Sequence, residues 1–408
     1  MYLTALDLGS SEIKALLLES DRNGRMILSG VFKKPSAGIR RGEIISAEDA
    51  VGPLRELFKE IRKTNKNALR NIFVDVGGGM VKLQHSKGIV AVSRADNEIY
   101  HEDVERVIKA SQAINIGSNR MILHTLTREF VVDTIAGVID PLGMFGNRLE
   151  VNSLIIDAFR ASVHAVTKCV DAAGGEVAGL IYAPLAAGQS VLTKNQRDLG
   201  VVLIDIGFGT TGIAVYEEDV LLETKTIGIG AGHITNDLAI GLRSSVKVAE
   251  MVKFSFGYAL SREISLKEKI DLSEIDKGLH QAVSRRFIAE IIEVRLAEIF
   301  ELVNNELKRI GKMGKLPAGV VLAGGGAKIA GIVELAKREL KLPVQIGIPE
   351  LKGVVIENRG VRDELEDPAY AVAAGLILWG MGESEKRMGW LDSKKRLSIS
   401  RFLKYFLP

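Results

Sequence analysis

The chain has 408 residues, 47% hydrophobic and 26% charged, with a formal net charge of +3 and a single cysteine, Cys169. That length exceeds one simple core and calls for at least two domains, and one cysteine excludes an intrachain disulfide or a cysteine-rich zinc site. Lys394, Lys395, Arg396, Arg401 and Lys404 lie among residues 393–408 with no acid beside them; taking those five from +3 leaves −2, which gives no footing for a nucleic-acid-binding body.

In chain order, residues 2–6 read as a buried strand ending in Asp7-Leu8-Gly9-Ser10-Ser11, and 13–18 as its returning partner, which carries Lys14. No signal peptide is expected before it, and a cytoplasmic body follows. Residues 47–63 place Val51, Leu54, Leu57, Phe58 and Ile61 at helical spacing. The strand 72–74 runs into Asp75-Val76-Gly77-Gly78-Gly79. Only 68 positions separate Asp7 from Asp75, too few to begin a second domain, so this is read as an exit turn without a phosphate contact. An α+β insertion is expected over 81–154, with a helix at 101–113 and alternating strands at 125–135 and 149–155. A helix at 157–172 and a strand at 177–181 then return the chain to the first domain.

The second domain begins near 199. Its strand 201–204 enters Asp205-Ile206-Gly207-Phe208-Gly209-Thr210-Thr211 and returns over 213–216, with Asp205 lying 198 positions after Asp7. In both places a strand ends in Asp, turns through glycine and small hydroxyl residues, and comes back. The backbone N–H groups of such a hairpin can hold phosphate oxygens, while the carboxylate orients a hydrated Mg²⁺. One such turn is an ordinary hairpin. Two, half a chain apart, point to duplicated domains facing each other across a nucleotide. Gly207 to Gly212 also satisfies G-x-G-x-x-G, but a strand rather than a helix follows, which excludes the Rossmann reading.

A mostly helical excursion is expected over 223–313, with Glu250 and Lys253 on one helix face. The strand 320–323 leads through Gly324-Gly325-Gly326-Ala327 to a helix from Ile329, where three glycines let backbone approach a flat ligand. A last helix is expected from Ala369, then a polar linker at 380–392. The longest apolar stretch, 369–381, is 13 residues, well short of the roughly 20 needed to span a bilayer. The scattered histidines fit no metal spacing, and neither a P-loop nor a G-x-S-x-G elbow is present. Winding 393–408 as a helix puts Ile399, Phe402, Leu403, Phe406 and Leu407 within about 140°, opposite Arg401 and Lys404, which describes an interfacial anchor on anionic lipid.

Two phosphate hairpins followed by strand, Gly-Gly-Gly and helix is the ordered pattern of the actin, Hsp70 and sugar-kinase superfamily. Further along, Pro184-Leu185-Ala186-Ala187 precedes the second turn and Gly228-Ile229-Gly230-Ala231-Gly232-His233-Ile234-Thr235-Asn236-Asp237 follows it. Then come Gly241-Leu242-Arg243, Ala249-Glu250-x-x-Lys253 and Pro368-x-x-Ala371-x-x-x-Gly375. Together these resemble the FtsA family of bacterial actin-like cell-division proteins over nearly the whole chain.

The resemblance implies an α/β, actin-like ATPase fold. Residues 1–80, 155–198 and the closing helix 349–379 would form subdomain 1A, with 81–154 as the inserted 1C. Residues 199–229 and 314–348 would form 2A and 230–313 would form 2B; 380–392 would be the linker and 393–408 an amphipathic membrane-targeting helix. It implies ATP with Mg²⁺, held by Asp7, Gly9, Ser10, Ser11, Lys14, Asp205, Gly207, Gly209, Thr210, Thr211, Gly230, Glu250, Lys253, Gly324, Gly325 and Gly326. Asp7 and Asp205 would reach the metal through water. It further implies self-polymerisation, and an FtsZ C-terminal peptide bound near Arg285, Arg286 and Arg295. Other division proteins would bind through 81–154. Ile399, Arg401, Phe402, Leu403, Lys404, Phe406 and Leu407 would tether FtsZ filaments to the cytoplasmic membrane face at the division site. Two departures stand out. Phe208 replaces a usual glycine of the second turn. Ala183 stands where brisk hydrolysers often carry an acid, leaving only Gln189 as a distant candidate, so slow hydrolysis or none is expected. The alternatives are a membrane-associated scaffold like PilM, and a metabolic kinase of the superfamily, against which Ala183 and the tail argue.

Overall fold

The computed structural model describes residues 2–277 and 282–392, with side chains described up to 382. Two sheets dominate. The first has six strands in the order Val177–Tyr182, Ile72–Val76, Tyr2–Leu8, Glu12–Ser20, Met26–Pro35 and Val354–Val355. The second has five, in the order Val344–Ile346, Val320–Ala323, Val201–Ile206, Thr211–Glu217 and Val220–Ile227. In each, an antiparallel three-strand meander carries on its first strand a later parallel partner, which pairs in parallel with another. The duplication suggested by two short turns therefore extends to five strands of each sheet, with Val354–Val355 added to the first.

Strand alternation shows how these sheets are covered. Leu3 and Ala5 join one core while Leu6 and Leu8 join another; Val201 and Leu203 divide from Val202, Ile204 and Ile206 in the same way. A period of two with both faces apolar is the pattern of a sheet buried on both sides. The inner faces share one core around the helix Ala183–Val191 and the start of the helix Ala371–Asp392. The outer face of the first sheet packs on Ala47–Thr64 and Arg160–Ala173, and that of the second on Ala231–Leu242, Val246–Phe256, Arg285–Arg309 and Ile332–Leu340. The layers thus run helices, sheet, helix pair, sheet, helices.

The insertion forms its own four-stranded antiparallel sheet, ordered Lys82–Ala91, Arg148–Phe159, Arg120–Val132 and Ile135–Val138, with His101–Ser111 packed on it through Val107. A buried ion pair between Arg120 and Asp157 fixes its root, and Gln84 donates to the same carboxylate at 2.6 Å.

Several boundaries differ from the sequence reading. The long insertion strands start earlier or end later than expected. The helix after the glycines begins at Ile332 because Gly325–Lys328 makes a 3₁₀ turn first. The expected linker at 380–392 is helix, continuous from Ala371 to Asp392. Polarity alone does not end a helix; Glu, Lys, Arg and Met are good helix formers, and no proline intervenes. Among the described residues, no helix is long and apolar enough to cross a membrane.

Candidate functional site

In the first hairpin Asp7 lies opposite Lys14, whose Nζ is 3.5 Å from Asp7 Oδ2, both side chains nearly buried. The turn is tight: a Cβ on Gly9 would lie 2.5 Å from the Glu12 carbonyl oxygen. In the second, the Gly207 N–H donates to the Thr210 carbonyl at 2.9 Å. The helix Ala231–Leu242 then clasps this turn, with Ala231 N–H donating to Gly207 O and Gly232 N–H to Phe208 O. Gly230 is needed for that approach, since a Cβ there would meet Gly207 O at 2.5 Å. Thr211 turns its hydroxyl away, to the Ile229 carbonyl.

The two hairpins touch. A Cβ on Gly209 would lie 2.8 Å from Ser10 Oγ. Parallel pairing of Val201–Ile206 with Val320–Ala323 brings the triple glycine alongside. Gly324 is in the left-handed region, and a Cβ there would strike Asp205 Oδ1 at 2.3 Å; Gly325 faces open space, and Gly326 packs on Ile206. The structure thus gathers Asp7, Gly9, Ser10, Lys14, Asp205, Gly207, Gly209, Thr210, Gly230, Gly324, Gly325 and Gly326 at one seam.

Asp75 also borders this seam. The glycines after it do lead into the insertion strand, as expected, yet Asp75 itself belongs to this seam. Its Oδ1 accepts the Leu8 N–H at 2.7 Å. Parallel pairing sets Val74 beside Leu6, and so Asp75 beside Asp7. The available signal was an acid at the same end of an adjacent parallel strand, which sequence distance alone does not reveal.

Burial raises the pKa of all three carboxylates. Asp205 is pushed up to about 7, first by burial and then by the Asp7 charge, with Lys14 pulling back. Asp75 is pushed up to about 8 by burial and Asp7, against the Leu8 hydrogen bond. Asp7 also rises through burial, opposed by Lys14. Burial works against the Lys14 ammonium too, but the charges of Asp7, Glu12 and Asp205 prevail and hold its pKa above the ordinary value. Three carboxylates around one ammonium leave a seam short of positive charge. Among the described residues no three His, Cys, Asp or Glu side chains are spaced to ligate a metal directly.

Beside the seam opens a cleft of about 740 Å³, lined by Ser11, Phe208, Lys247, Glu250, Met251 and Phe254 among others. Glu250 lines the cleft, whereas Lys253 stands behind it: its Nζ is 2.7 Å from Glu250 Oε2 and 2.9 Å from Thr235 Oγ1. Burial pulls the Lys253 pKa down against Glu250. Its ammonium lies 5.7 Å from the centre of the Phe208 ring, so the residue replacing a turn glycine forms part of the cleft wall.

The three candidate arginines on the helix Arg285–Arg309, namely Arg285, Arg286 and Arg295, all have partners. Arg285 pairs with Glu268 at 2.9 Å and Arg286 with Glu290 at 3.3 Å. Arg295 grips Asp237 through two bonds of 2.7 and 3.0 Å and also contacts Glu298. What the charge-based reading missed is apolar: Phe287 and Val294, seven apart on this helix, are 41% and 71% exposed, and Ile240 on the neighbouring helix is 77% exposed. Ala183 opens the helix Ala183–Val191, and Gln189 is exposed on it. The tail residues Ile399, Arg401, Phe402, Leu403, Lys404, Phe406 and Leu407 lie outside the described residues.

Comparison with known proteins decides the family. Residues 202–375 match the model of cell division protein FtsA, and residues 78–157 match the SHS2 domain inserted in FtsA. The chain is 36% identical over 373 residues to FtsA of Bacillus subtilis strain 168, covering 91% of this chain and 82% of that protein. The chain belongs to the FtsA family of cell division proteins. FtsA of Pseudomonas aeruginosa is 34% identical over 386 residues, covering 95% of this chain and 91% of that one. The SHS2 match extends three residues beyond the expected 81–154 at each end. The fold is that of actin-like ATPases. It is similar to the PilM–PilN type IV pilus biogenesis complex, with TM-score 0.66 at 18% identity over 93% of this chain and 98% of that one. It is also similar to MreB5 of Spiroplasma citri bound to AMPPNP, with TM-score 0.56 at 15% identity over 95% of this chain and 98% of that one. The FtsA-family identity, carried over most of the chain, sets aside the PilM-like and kinase alternatives.

Proposed function

We propose that this FtsA-family protein binds ATP with Mg²⁺ at the seam and cleft, polymerises, and tethers FtsZ filaments to the membrane. The observation that carries the nucleotide reading is the meeting of two equivalent Asp-x-Gly hairpins over a cation-poor cluster of buried carboxylates, beside a cleft walled by Glu250 and Phe208. Hairpin N–H groups and Lys14 would hold phosphate oxygens, and Glu250 would face the sugar, with Lys253 fixing its carboxylate from behind. The donor set fits a hydrated divalent ion, because no three of these acids form a direct ligand group, and burial and their mutual repulsion make them hold protons that a cation would displace. Mg²⁺ bound there through Asp7 and Asp205 would neutralise phosphate charge. MreB5, bound to AMPPNP in its solved structure, supports a nucleotide in this fold. Ala183 supplies no carboxylate at the start of its helix, so hydrolysis should be slow or absent.

The exposed apolar stripe of Phe287 and Val294 with Ile240 offers a docking face for the short, acidic and apolar FtsZ C-terminal peptide. Arg286 precedes Phe287 on the helix, Arg285 is turned to the Phe256 carbonyl and Glu268, and Arg295 acts as a strut to Asp237. Other division proteins would use the insertion, and residues 393–408 would supply the membrane anchor, placing the protein on the cytoplasmic face at the division site.

The deciding measurement is the thermal shift produced by ATP and Mg²⁺. It should be present in the wild type and largely lost in Asp205→Ala. An equal shift in both proteins would remove the nucleotide from this seam.

A further inference from the structure

A small hairpin outside both large sheets, Ile39–Arg40 with Glu43–Ile44, pairs Ile39 with Ile44 and Arg40 with Glu43. Arg41 and Gly42 close it, both in the left-handed region with φ of 51° and 73°. Two-residue turns with both φ positive favour Asn-Gly, and a non-glycine residue held there costs on the order of 1 kcal/mol. An arginine is thus found where the backbone alone would select against it.

The surroundings of the tip give that arginine a use. Gly42 N–H donates to Ser10 Oγ at 3.1 Å. A Cβ on Gly209 would lie 2.9 Å from Arg41 N and Cα, and one on Gly42 would lie 2.7 Å from Gly78 N, just beyond Asp75. The tip therefore rests on the first hairpin, the second hairpin and the Asp75 turn at once. Arg41 is exposed, and its guanidinium forms no hydrogen bond or ion pair among the described residues. Lys14, the ammonium of the seam, is shared between Asp7 and any phosphate bound there. A triphosphate adds more negative charge than Lys14 and one divalent ion offset, so charge balance calls for a further cation at this place.

We infer that Arg41 is a ligand of the terminal phosphate, presented by this hairpin so that the protein distinguishes ATP from ADP. The inference rests on the reading of the seam as an ATP site. With the sugar at Glu250, phosphates directed to the contact of Gly209 with Ser10 would approach the hairpin tip that carries Arg41. Guanidinium suits a phosphate because its planar fork can donate two bonds to neighbouring oxygens.

The test is calorimetric titration of the full chain with Mg-ATP and with Mg-ADP, comparing wild type, Arg41→Gly and Arg41→Lys. Glycine fits the left-handed tip, so Arg41→Gly removes the guanidinium and leaves the turn intact. ATP affinity should fall about tenfold or more, the loss of a charged hydrogen bond, while ADP affinity changes less than about twofold. Arg41→Lys should recover part of the ATP affinity. Equal losses for ATP and ADP, or an unchanged ATP affinity, would overturn the inference. A wild-type chain that binds neither nucleotide removes the ATP reading itself, and this inference with it.

Discussion

Gly375, on the closing helix, crosses the Ala183–Val191 helix so closely that a Cβ on it would lie 1.7 Å from the Ala186 carbonyl oxygen. These two helices fill the layer between the sheets, so this crossing sets how the two halves of the seam meet. Gly375→Ala must push them apart. Chemical denaturation should show a loss of about 1–3 kcal/mol, the usual penalty of overpacking. The ATP-induced thermal shift should shrink in the same variant although no seam residue has changed. A variant as stable as wild type would mean that the helices can separate freely.

The acid cluster makes stability depend on pH. Asp205 and Asp75 titrate near 7 and 8 in the folded chain, against an ordinary 3.8. The folded state therefore binds their protons more tightly than the unfolded state does. Their contribution is fully present below about pH 4 and is lost as pH rises through 7 and 8. The nucleotide-free protein should melt at a lower temperature at pH 8.5 than at pH 6, with a smaller drop in Asp75→Asn. Identical slopes in the two proteins would clear Asp75 of that role.

Arg295 and Asp237 link two helices of the second domain. Arg295→Glu faces Asp237 and Glu298 with a like charge and should destabilise the chain. Combined with Asp237→Arg it should regain most of that loss, with a coupling of about 0.5–3 kcal/mol in a double-mutant cycle. The doubly reversed protein then isolates recognition: FtsZ-peptide affinity should remain close to wild type there and fall in Phe287→Ser. Weak peptide binding by the stable double variant would return Arg295 to the docking face.

Removal of residues 393–408 should abolish co-sedimentation with anionic liposomes and leave the ATP-induced thermal shift intact. Ile399, Phe402, Leu403, Phe406 and Leu407 offer a gross gain of about 1.5–3 kcal/mol each on burial. The basic ones add about 1 kcal/mol each at an anionic surface. High salt should therefore weaken the binding of the full chain. A truncated protein that still pellets would place the anchor elsewhere.

What the sequence disclosed was whatever a local pattern can carry. Asp7-x-Gly9, Asp205-x-Gly207 and Gly324-Gly325-Gly326 each fix a turn by glycine chemistry, so their positions survived translation into three dimensions. Glu250 and Lys253 pair as a three-residue helical spacing requires. The place of Asp75 beside Asp7 is set by parallel strand pairing, and Arg295 meets Asp237 across 58 positions, so neither contact is legible from adjacent residues. Arg41 carried no signal, since neither its left-handed conformation nor its position on Gly209 can be read from adjacent residues. The segment 380–392 is a different case: its polar composition reads as a linker, yet it contains no proline and continues the helix.

That unbroken helix has a mechanical meaning. Its 22 residues from Ala371 to Asp392 span about 33 Å at 1.5 Å per residue. One end is clamped at Gly375 between the two lobes; the other stops at the residue before the basic tail. A flexible segment of that length would leave the two ends at no set distance, whereas a helix holds them about 33 Å apart. With 393–408 held at a surface, the body would present a constant side to whatever lies below it, and any rocking of one lobe against the other would swing the far end of the rod like an oar in its rowlock.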